Sequence, residues 1–116
     1  MTDNILIDLS IDFAVNIVNW CESIKGKSVL TNQLIRSGTS IGANIHEGNY
    51  ASSRADFVAK FQIALKECYE TEYWLEIFYR TNIMTKEIYD KFKNDSGKIR
   101  KILISSINTA KSKVEN

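Results

Sequence analysis

The residues of this sequence with the most reactive side chains lack the neighbours that catalysis or metal binding requires. The run G-K-S at residues 26–28 resembles the end of a phosphate-binding loop, but the first glycine of that motif would fall at Cys21 and no predicted strand precedes it. The single histidine, His46, has Ala43 three residues before it, so the Glu-x-x-His pairs of a di-metal bundle are not formed. Cys21 and Cys68 are too few and too widely spaced for a disulfide framework, and we expect buried reduced thiols. The sequence therefore predicts no cofactor and no metal.

Four glutamates in the third quarter of the chain raise the question of paired catalytic acids. They are Glu67, Glu70, Glu72 and Glu76. No nucleophile, second histidine or metal-ligand set accompanies them, so a solvated or salt-bridged helix face explains them better than catalysis does. We therefore predict that the chain is not an enzyme.

Basic residues are concentrated at the end of the chain, where a polyanion could bind. Residues 85–116 hold eight lysines and arginines against four acids, although the net charge of the whole chain is only +1. The candidate nucleic-acid contacts are Arg36, Arg54, Lys91, Lys93, Lys98, Arg100 and Lys101. Aromatic residues such as Tyr69 and Tyr73 could stack on bases, but aromatic residues on helices more often belong to a core or an interface.

The composition predicts one small globular domain spanning residues 1–116. Of the 116 residues, 44% are apolar and 25% are charged, proportions typical of globular proteins. There is no proline, which favours long helices over sheets. No stretch approaches the roughly 20 apolar residues of a membrane span, and the N-terminus is acidic where a signal peptide is basic. We therefore expect a cytoplasmic protein that does not bind a membrane.

Apolar residues recur at three- and four-residue spacing in four segments, and this spacing predicts helices. The predicted helices cover residues of about 8–25, 28–47, 53–81 and 85–112. Gly26 is expected to stop the first helix, Ser28 to cap the second and Gly48 to end it. Ser53 and Asp56 have the spacing of a capping box. Four helices joined by short loops predict an all-α, up-and-down antiparallel four-helix bundle.

The second helix is the one on which propensity and periodicity disagree. Residues 37–44, S-G-T-S-I-G-A-N, read as a loop by propensity, because glycine costs up to about 1 kcal/mol relative to alanine in a helix. The apolar period continues through them, which favours a helix. Their small side chains would let a neighbouring helix approach closely.

The third helix carries two apolar faces, and only one of them fits inside a lone bundle. The first belongs to the predicted core, which comprises Phe13, Ile17, Leu34, Ile41, Phe57, Phe61, Leu65, Leu75, Phe92 and Leu103. The second face holds Ile63, Trp74 and Ile77, with Glu70 beside them. Because a lone bundle would leave this face in water, we predict that these four residues form an oligomer interface. Arg36 of a neighbouring copy is the predicted partner of Glu70.

Several ordered motifs resemble those of a known family. They are R-S-G-T-S-I-G-A-N-I at residues 36–45, D-F-V-A-K-F at 56–61, A-L-K-E-C-Y-E-T-E-Y-W-L-E-I at 64–77 and I-M-T-K-E at 83–87. Over nearly its whole length the chain resembles the four-helix bundle family of 23S rRNA intervening-sequence proteins. The resemblance implies a left-handed bundle that assembles as a homopentamer, and it implies that residues 37–44 are helical.

Relatives of that family include the accessory variability protein of diversity-generating retroelements, a basic ring that binds nucleic acid and a reverse transcriptase. The present chain departs from that branch, because its pI is near 7.7. The resulting hypothesis is a non-enzymatic, ring-forming protein that binds RNA or a nucleic-acid-processing protein. The alternative is a structural or protein-binding module that binds no nucleic acid.

Overall fold

The computed structural model describes residues 2–115 and shows four helices. They are α1 (Thr2–Glu22), α2 (Ser28–Asn49), α3 (Arg54–Arg80) and α4 (Lys86–Glu115). No strand occurs within the described residues, so the predicted all-α fold is confirmed. The start of the first helix, predicted near residue 8, was wrong. The helix begins at Thr2, because Leu6 continues the apolar period one turn earlier and is fully buried in the core.

The four helices form an elongated bundle of 50 × 21 × 20 Å with antiparallel neighbours. Helices α1 and α3 both lie beside α2 and α4, and they face each other across the core, where the ring centres of Trp20 and Phe78 lie 5.1 Å apart. They therefore occupy opposite corners of the bundle. No helix in the part of the chain described is long and apolar enough to cross a membrane.

The interior of the bundle is an apolar core to which every helix contributes. Eight of the ten predicted core residues are buried, with exposures between 0% and 4%. Phe57 and Leu65 were also predicted to be buried, but they are only partly buried and pack against this core from its rim. For Phe57 the reason is its position in the first turn of α3, at the open end of the bundle.

Helix α2 is continuous through residues 37–44, as the apolar period predicted, and its glycines lie against neighbouring helices. A Cβ atom at Gly38 would lie 3.2 Å from Cγ2 of Ile17, so this glycine allows α1 and α2 to pack closely. Gly48 was expected to end α2, and the helix ends one residue later, at Asn49, with Gly48 buried in its last turn. Its missing side chain leaves space for the ring of Phe61 on α3.

The residues at the ends of the helices have the capping and loop roles that their types predict, with one exception. Ser53 caps α3 as predicted, since its Oγ accepts a hydrogen bond from the backbone N–H of Asp56 at 3.1 Å. Ser28 does not cap α2; it is the first residue of the helix, and Lys27 holds the capping position without a side-chain hydrogen bond. Gly26 lies in the preceding loop with φ +74°, a conformation that favours glycine.

Candidate nucleic-acid interface

Arg36, the first candidate nucleic-acid contact, is already paired with acids of its own chain. It projects from α2 toward α3, where its guanidinium forms ion pairs with Glu67, at 3.3 Å, and with Glu70. Trp74 Nε1 donates a hydrogen bond to the same Glu70 oxygen at 3.0 Å. Glu70 was predicted to meet Arg36 across an oligomer interface, but the pair forms within one chain because α2 and α3 are neighbours.

Arg100 takes part in a polar cluster between α3 and α4. Its Nε donates a hydrogen bond at 3.2 Å to Glu72, whose side chain is only 12% exposed. Ser96 is fully buried, and its Oγ donates to the same carboxylate oxygen at 2.7 Å. These bonds satisfy polar residues in the middle of α4, where the helix continues without a break through Gly97. The charge of Arg100 is largely balanced by Glu72.

The lysines in the first half of α4 also lie close to compensating groups. Lys91 Nζ lies 3.9 Å from Asp95 on the same helix. Lys93 Nζ lies 5.8 Å from the ring centre of Tyr89, whose π-face attracts cations. The Tyr89 hydroxyl donates a 2.6 Å hydrogen bond to Glu76, and this bond is the main reason why the pKa of Tyr89 is raised to about 12. The positive charges of Lys91 and Lys93 are therefore partly offset by Asp95 and Tyr89 of the same chain.

Four of the seven candidates form no ion pair with the residues that the structure describes: Arg54, Lys93, Lys98 and Lys101. Arg54 and Lys101 line one groove, and Lys98 is not among its lining residues. Lys113 joins them from the last turns of α4. Sequence reasoning counted Lys113 in the basic segment but missed it as a contact, because the predicted helix ended near residue 112. Cations from α3 and α4 thus meet at one end of the bundle.

We call this feature the end groove, and it has a volume of about 920 Å³. It lies between the last turn of α2, the first turn of α3 and the C-terminal half of α4. Apart from the three cations, its lining residues are Gly48, Asn49, Ala51, Ser52, Ser53, Phe57, Ile102, Ser105, Ser106, Thr109 and Ala110. No acid is among the lining residues that the structure describes. The end groove is therefore a basic, hydroxyl-rich surface with an apolar strip.

The outer side of α3 carries the residues predicted to form an oligomer interface. Ile63 is 44% exposed, and Tyr73 on the same side of the helix is 57% exposed. Trp74 and Ile77 are partly buried, and Trp74 packs against the core. We call these four residues the α3 face. Trp74 therefore also supports the fold of one subunit, which the sequence did not predict.

A second exposed apolar surface, on α1, was missed by sequence reasoning. Ile11 is 53% exposed and Val15 is 50% exposed, and Ile7 and Val18 on the same side of the helix are partly buried. We call these four residues the α1 face. Their spacing of four, four and three residues was the signal that could have revealed them. The chain therefore presents two different apolar faces, one on α1 and one on α3.

The two cysteines and the histidine are not placed with other reactive side chains that the structure describes. Cys21 and Cys68 are free thiols in the core, as expected, and burial raises the pKa of Cys21 to about 11 and that of Cys68 to about 12. His46 is exposed on α2, with its ring centre 5.1 Å from that of Tyr50. Among the described residues, no group of three or more histidine, cysteine or acidic side chains is placed to hold a metal ion.

The fold and these surfaces define a class of antiparallel four-helix bundles whose candidate sites lie on the outside of the bundle. The chain belongs to the 23S rRNA-intervening sequence protein family, whose model matches residues 2–105. It is similar to a protein of unknown function from the S23 ribosomal protein family of Bacteroides thetaiotaomicron VPI-5482, whose crystal structure was determined at 1.70 Å. The two chains are 51% identical, the match covers 93% of this chain and 99% of that one, and the TM-score is 0.89. No curated protein matches the sequence.

Proposed function

We propose that this chain is a non-enzymatic accessory protein that binds RNA in the cytoplasm and works as a homo-oligomeric ring. The observation that carries the RNA proposal is the end groove, which collects Arg54, Lys101 and Lys113. Three of the other five candidate cations are paired with acids of the same chain, whereas the groove brings together cations of α3 and α4 that form no ion pair with the described residues. Such a surface attracts phosphates without regard to sequence. The name of the family supports RNA as the polyanion.

The four glutamates of α3 support a non-enzymatic role. Each of them forms an ion pair with an arginine, namely Glu67 and Glu70 with Arg36, Glu72 with Arg100 and Glu76 with Arg80. A carboxylate bound to an arginine in this way has fewer oxygen lone pairs left for a substrate. The ion pairs therefore support a structural role for these acids.

The ring proposal rests on the two apolar faces at opposite corners of the bundle. When two different surfaces of one chain bind each other, copies add head to tail, and the chain of contacts closes into a ring if the rotation between copies fits. Docking the α3 face on the α1 face of the next copy is such a contact. The number five comes from the family resemblance alone. Several copies in a ring would repeat the end groove and strengthen the weak charge of each subunit.

The second candidate function is a protein-binding module without a nucleic-acid ligand. The exposed Tyr73 of the α3 face favours it, because aromatic residues are enriched in protein interfaces. A nucleic-acid-processing protein could occupy this face in place of another copy of the chain. The two functions differ in their response to salt.

The test is a fluorescence anisotropy titration of a labelled single-stranded RNA at several salt concentrations. For single strands, log K falls against log salt with a slope of about −0.7 for each phosphate neutralised, so three cations per subunit predict a slope of about −2 or steeper. A double-stranded DNA of equal length shows whether the binding is specific to RNA. Absence of binding at micromolar protein in low salt, or binding that does not change with salt, would refute the proposal.

A further inference from the structure

The end groove has the dimensions of a ligand site. Its volume of about 920 Å³ lies within the range of roughly 300 to 1,000 Å³ that is typical of small-molecule pockets. The groove forms where α3 begins beside α4, and residues from three helices contribute to its walls. A space of this volume accommodates a single nucleotide.

The polar side of the groove suits a phosphate. Arg54, Lys101 and Lys113 bring three positive charges to a lining without a described acid. Arginine can bind two phosphate oxygens at once, and lysine supplies a point charge. The hydroxyls of Ser105 and Thr109 belong to the same lining and add hydrogen-bond donors. This chemistry favours a phosphate over an uncharged ligand.

The apolar side of the groove suits a base. Phe57 and Ile102 line it, and Phe57 is only partly buried. The ring centres of Phe57 and Phe61 lie 4.1 Å apart, and Phe61 in turn occupies the space left by Gly48. An aromatic ring fixed in this way at the edge of a basic surface is a suitable platform for an unpaired base.

Asn49 supplies an independent indication of a polar ligand. It also lines the groove, and its Nδ2 is the one buried side-chain polar atom, among the residues described, that has no hydrogen-bond partner. An amide can read the edge of a base, since it carries both donors and an acceptor. A buried donor without a partner is costly, and a turn of the Asn49 side chain toward the groove would let this donor meet an acceptor on a ligand.

We infer that the end groove binds one nucleotide of a single-stranded RNA, with its phosphate at the end of the groove that holds Arg54 and Lys113 and its base against Phe57. Lys101 lies twelve residues before Lys113, about 18 Å along α4, and is placed for the next phosphate of the strand. This inference rests on the proposed function, since it names the part of RNA that the chain contacts and the place where it does so. A free nucleotide carries the same chemistry, and the experiment below separates the two sources.

The experiment follows the backbone amides of the full chain by nuclear magnetic resonance during titrations with AMP, adenosine and an unstructured RNA of about eight nucleotides. AMP and RNA are expected to shift the amides of residues 52–57 and 105–109. Adenosine is expected to bind about tenfold more weakly than AMP, because it lacks the phosphate. The double variant Arg54→Gln with Lys101→Gln should weaken AMP and RNA binding about tenfold or more.

The matched control is Lys98→Gln, which removes a charge from α4 outside the groove and should weaken AMP binding less than about twofold. Unchanged thermal unfolding of the variants shows that they fold, as expected for lysines and an arginine on the surface. RNA that binds without shifting the groove amides, and with equal affinity for the double variant, overturns the inference and leaves the proposed function standing. AMP binding without RNA binding overturns both and identifies the site of a free nucleotide. No shift of the groove amides with either ligand also overturns the inference.

Discussion

The packing of α2 against α3 makes a sharp prediction at two glycines that lie in different surroundings. A Cβ atom at Gly48 would lie 2.7 Å from two carbon atoms of the fully buried Phe61 ring, closer than real Cβ contacts. A Cβ atom at Gly97 would meet only the flexible end of Arg100, at 3.4 Å. The same substitution, glycine to alanine, should therefore change stability in opposite directions at the two positions.

The expected magnitudes follow from two effects. Alanine is favoured over glycine inside a helix by about 0.5 to 1 kcal/mol, so Gly97→Ala should stabilise the protein by about that amount. At Gly48 the gain is no larger, because the residue lies in the last turn of α2, and it is opposed by an overpacking cost of about 1 to 3 kcal/mol. The free energy of unfolding of Gly48→Ala should therefore lie about 1 to 3 kcal/mol below that of Gly97→Ala.

The assay is urea denaturation followed by circular dichroism, with all variants at one protein concentration. Each variant is compared with the unmodified chain. The urea midpoint and the slope of the unfolding free energy against urea are fitted together, because a changed slope shows that the denatured or native state has become more or less compact. If Gly48→Ala is as stable as Gly97→Ala, or more stable, Phe61 does not depend on the space at Gly48, and the account of the close α2–α3 approach is refuted.

Three further predictions concern the surface, the polar cluster and pH. Ile63→Glu should reduce the mass measured by light scattering toward that of one chain. The circular dichroism signal of the helices should not change, because this side chain is 44% exposed in a single subunit. An unchanged mass would show that Ile63 does not belong to the oligomer interface. Glu72→Ala should lower the free energy of unfolding by about 1 to 3 kcal/mol in urea, because it removes the hydrogen bonds that the carboxylate accepts from Ser96 and Arg100. A loss below about 0.5 kcal/mol would show that the cluster does not stabilise α4. Tyr89 should ionise at a pKa of about 12 in an ultraviolet titration, above the ordinary tyrosine value of 10.0. Since the folded-state pKa is the higher one, the stability that this hydrogen bond contributes is present below the unfolded value of 10.0 and is lost as the pH rises through about 12; ionisation of Tyr89 at its ordinary value would contradict the bond.

The fold could be predicted from the sequence because the apolar period is nearly continuous in each helix. Even residues 37–44, in which glycine, serine and threonine oppose a helix, follow this period, and tertiary packing outweighs their low propensity. The start of α1 was placed too late because residues 5–7 are all apolar, and such a run does not show which side chain faces the core. The helix end near Gly48 was predicted to within one residue, but the close contact of Gly48 with Phe61 was not, because Phe61 lies on another helix.

The surface was less predictable, because it depends on which residues the bundle brings together. Nothing in the spacing of Arg36 and Glu70 shows that they pair within one chain, since they lie on different helices. The same holds for Arg54 and Lys101, whose common groove exists only because α3 begins beside the C-terminal half of α4. Composition identified the basic end of the chain, but only the three-dimensional structure separated the cations that pair with acids from those that line the end groove.

The central claim, that this chain forms a ring that binds RNA, is tested most directly by native mass spectrometry of the protein with and without a single-stranded RNA oligonucleotide. We predict that the protein alone has a mass of five times the 13.3 kDa of one chain and that the same assembly gains the mass of bound RNA. The double variant Arg54→Gln with Lys101→Gln should keep the protein mass and lose the RNA. A single species of 13.3 kDa that gains no mass from RNA would contradict the claim.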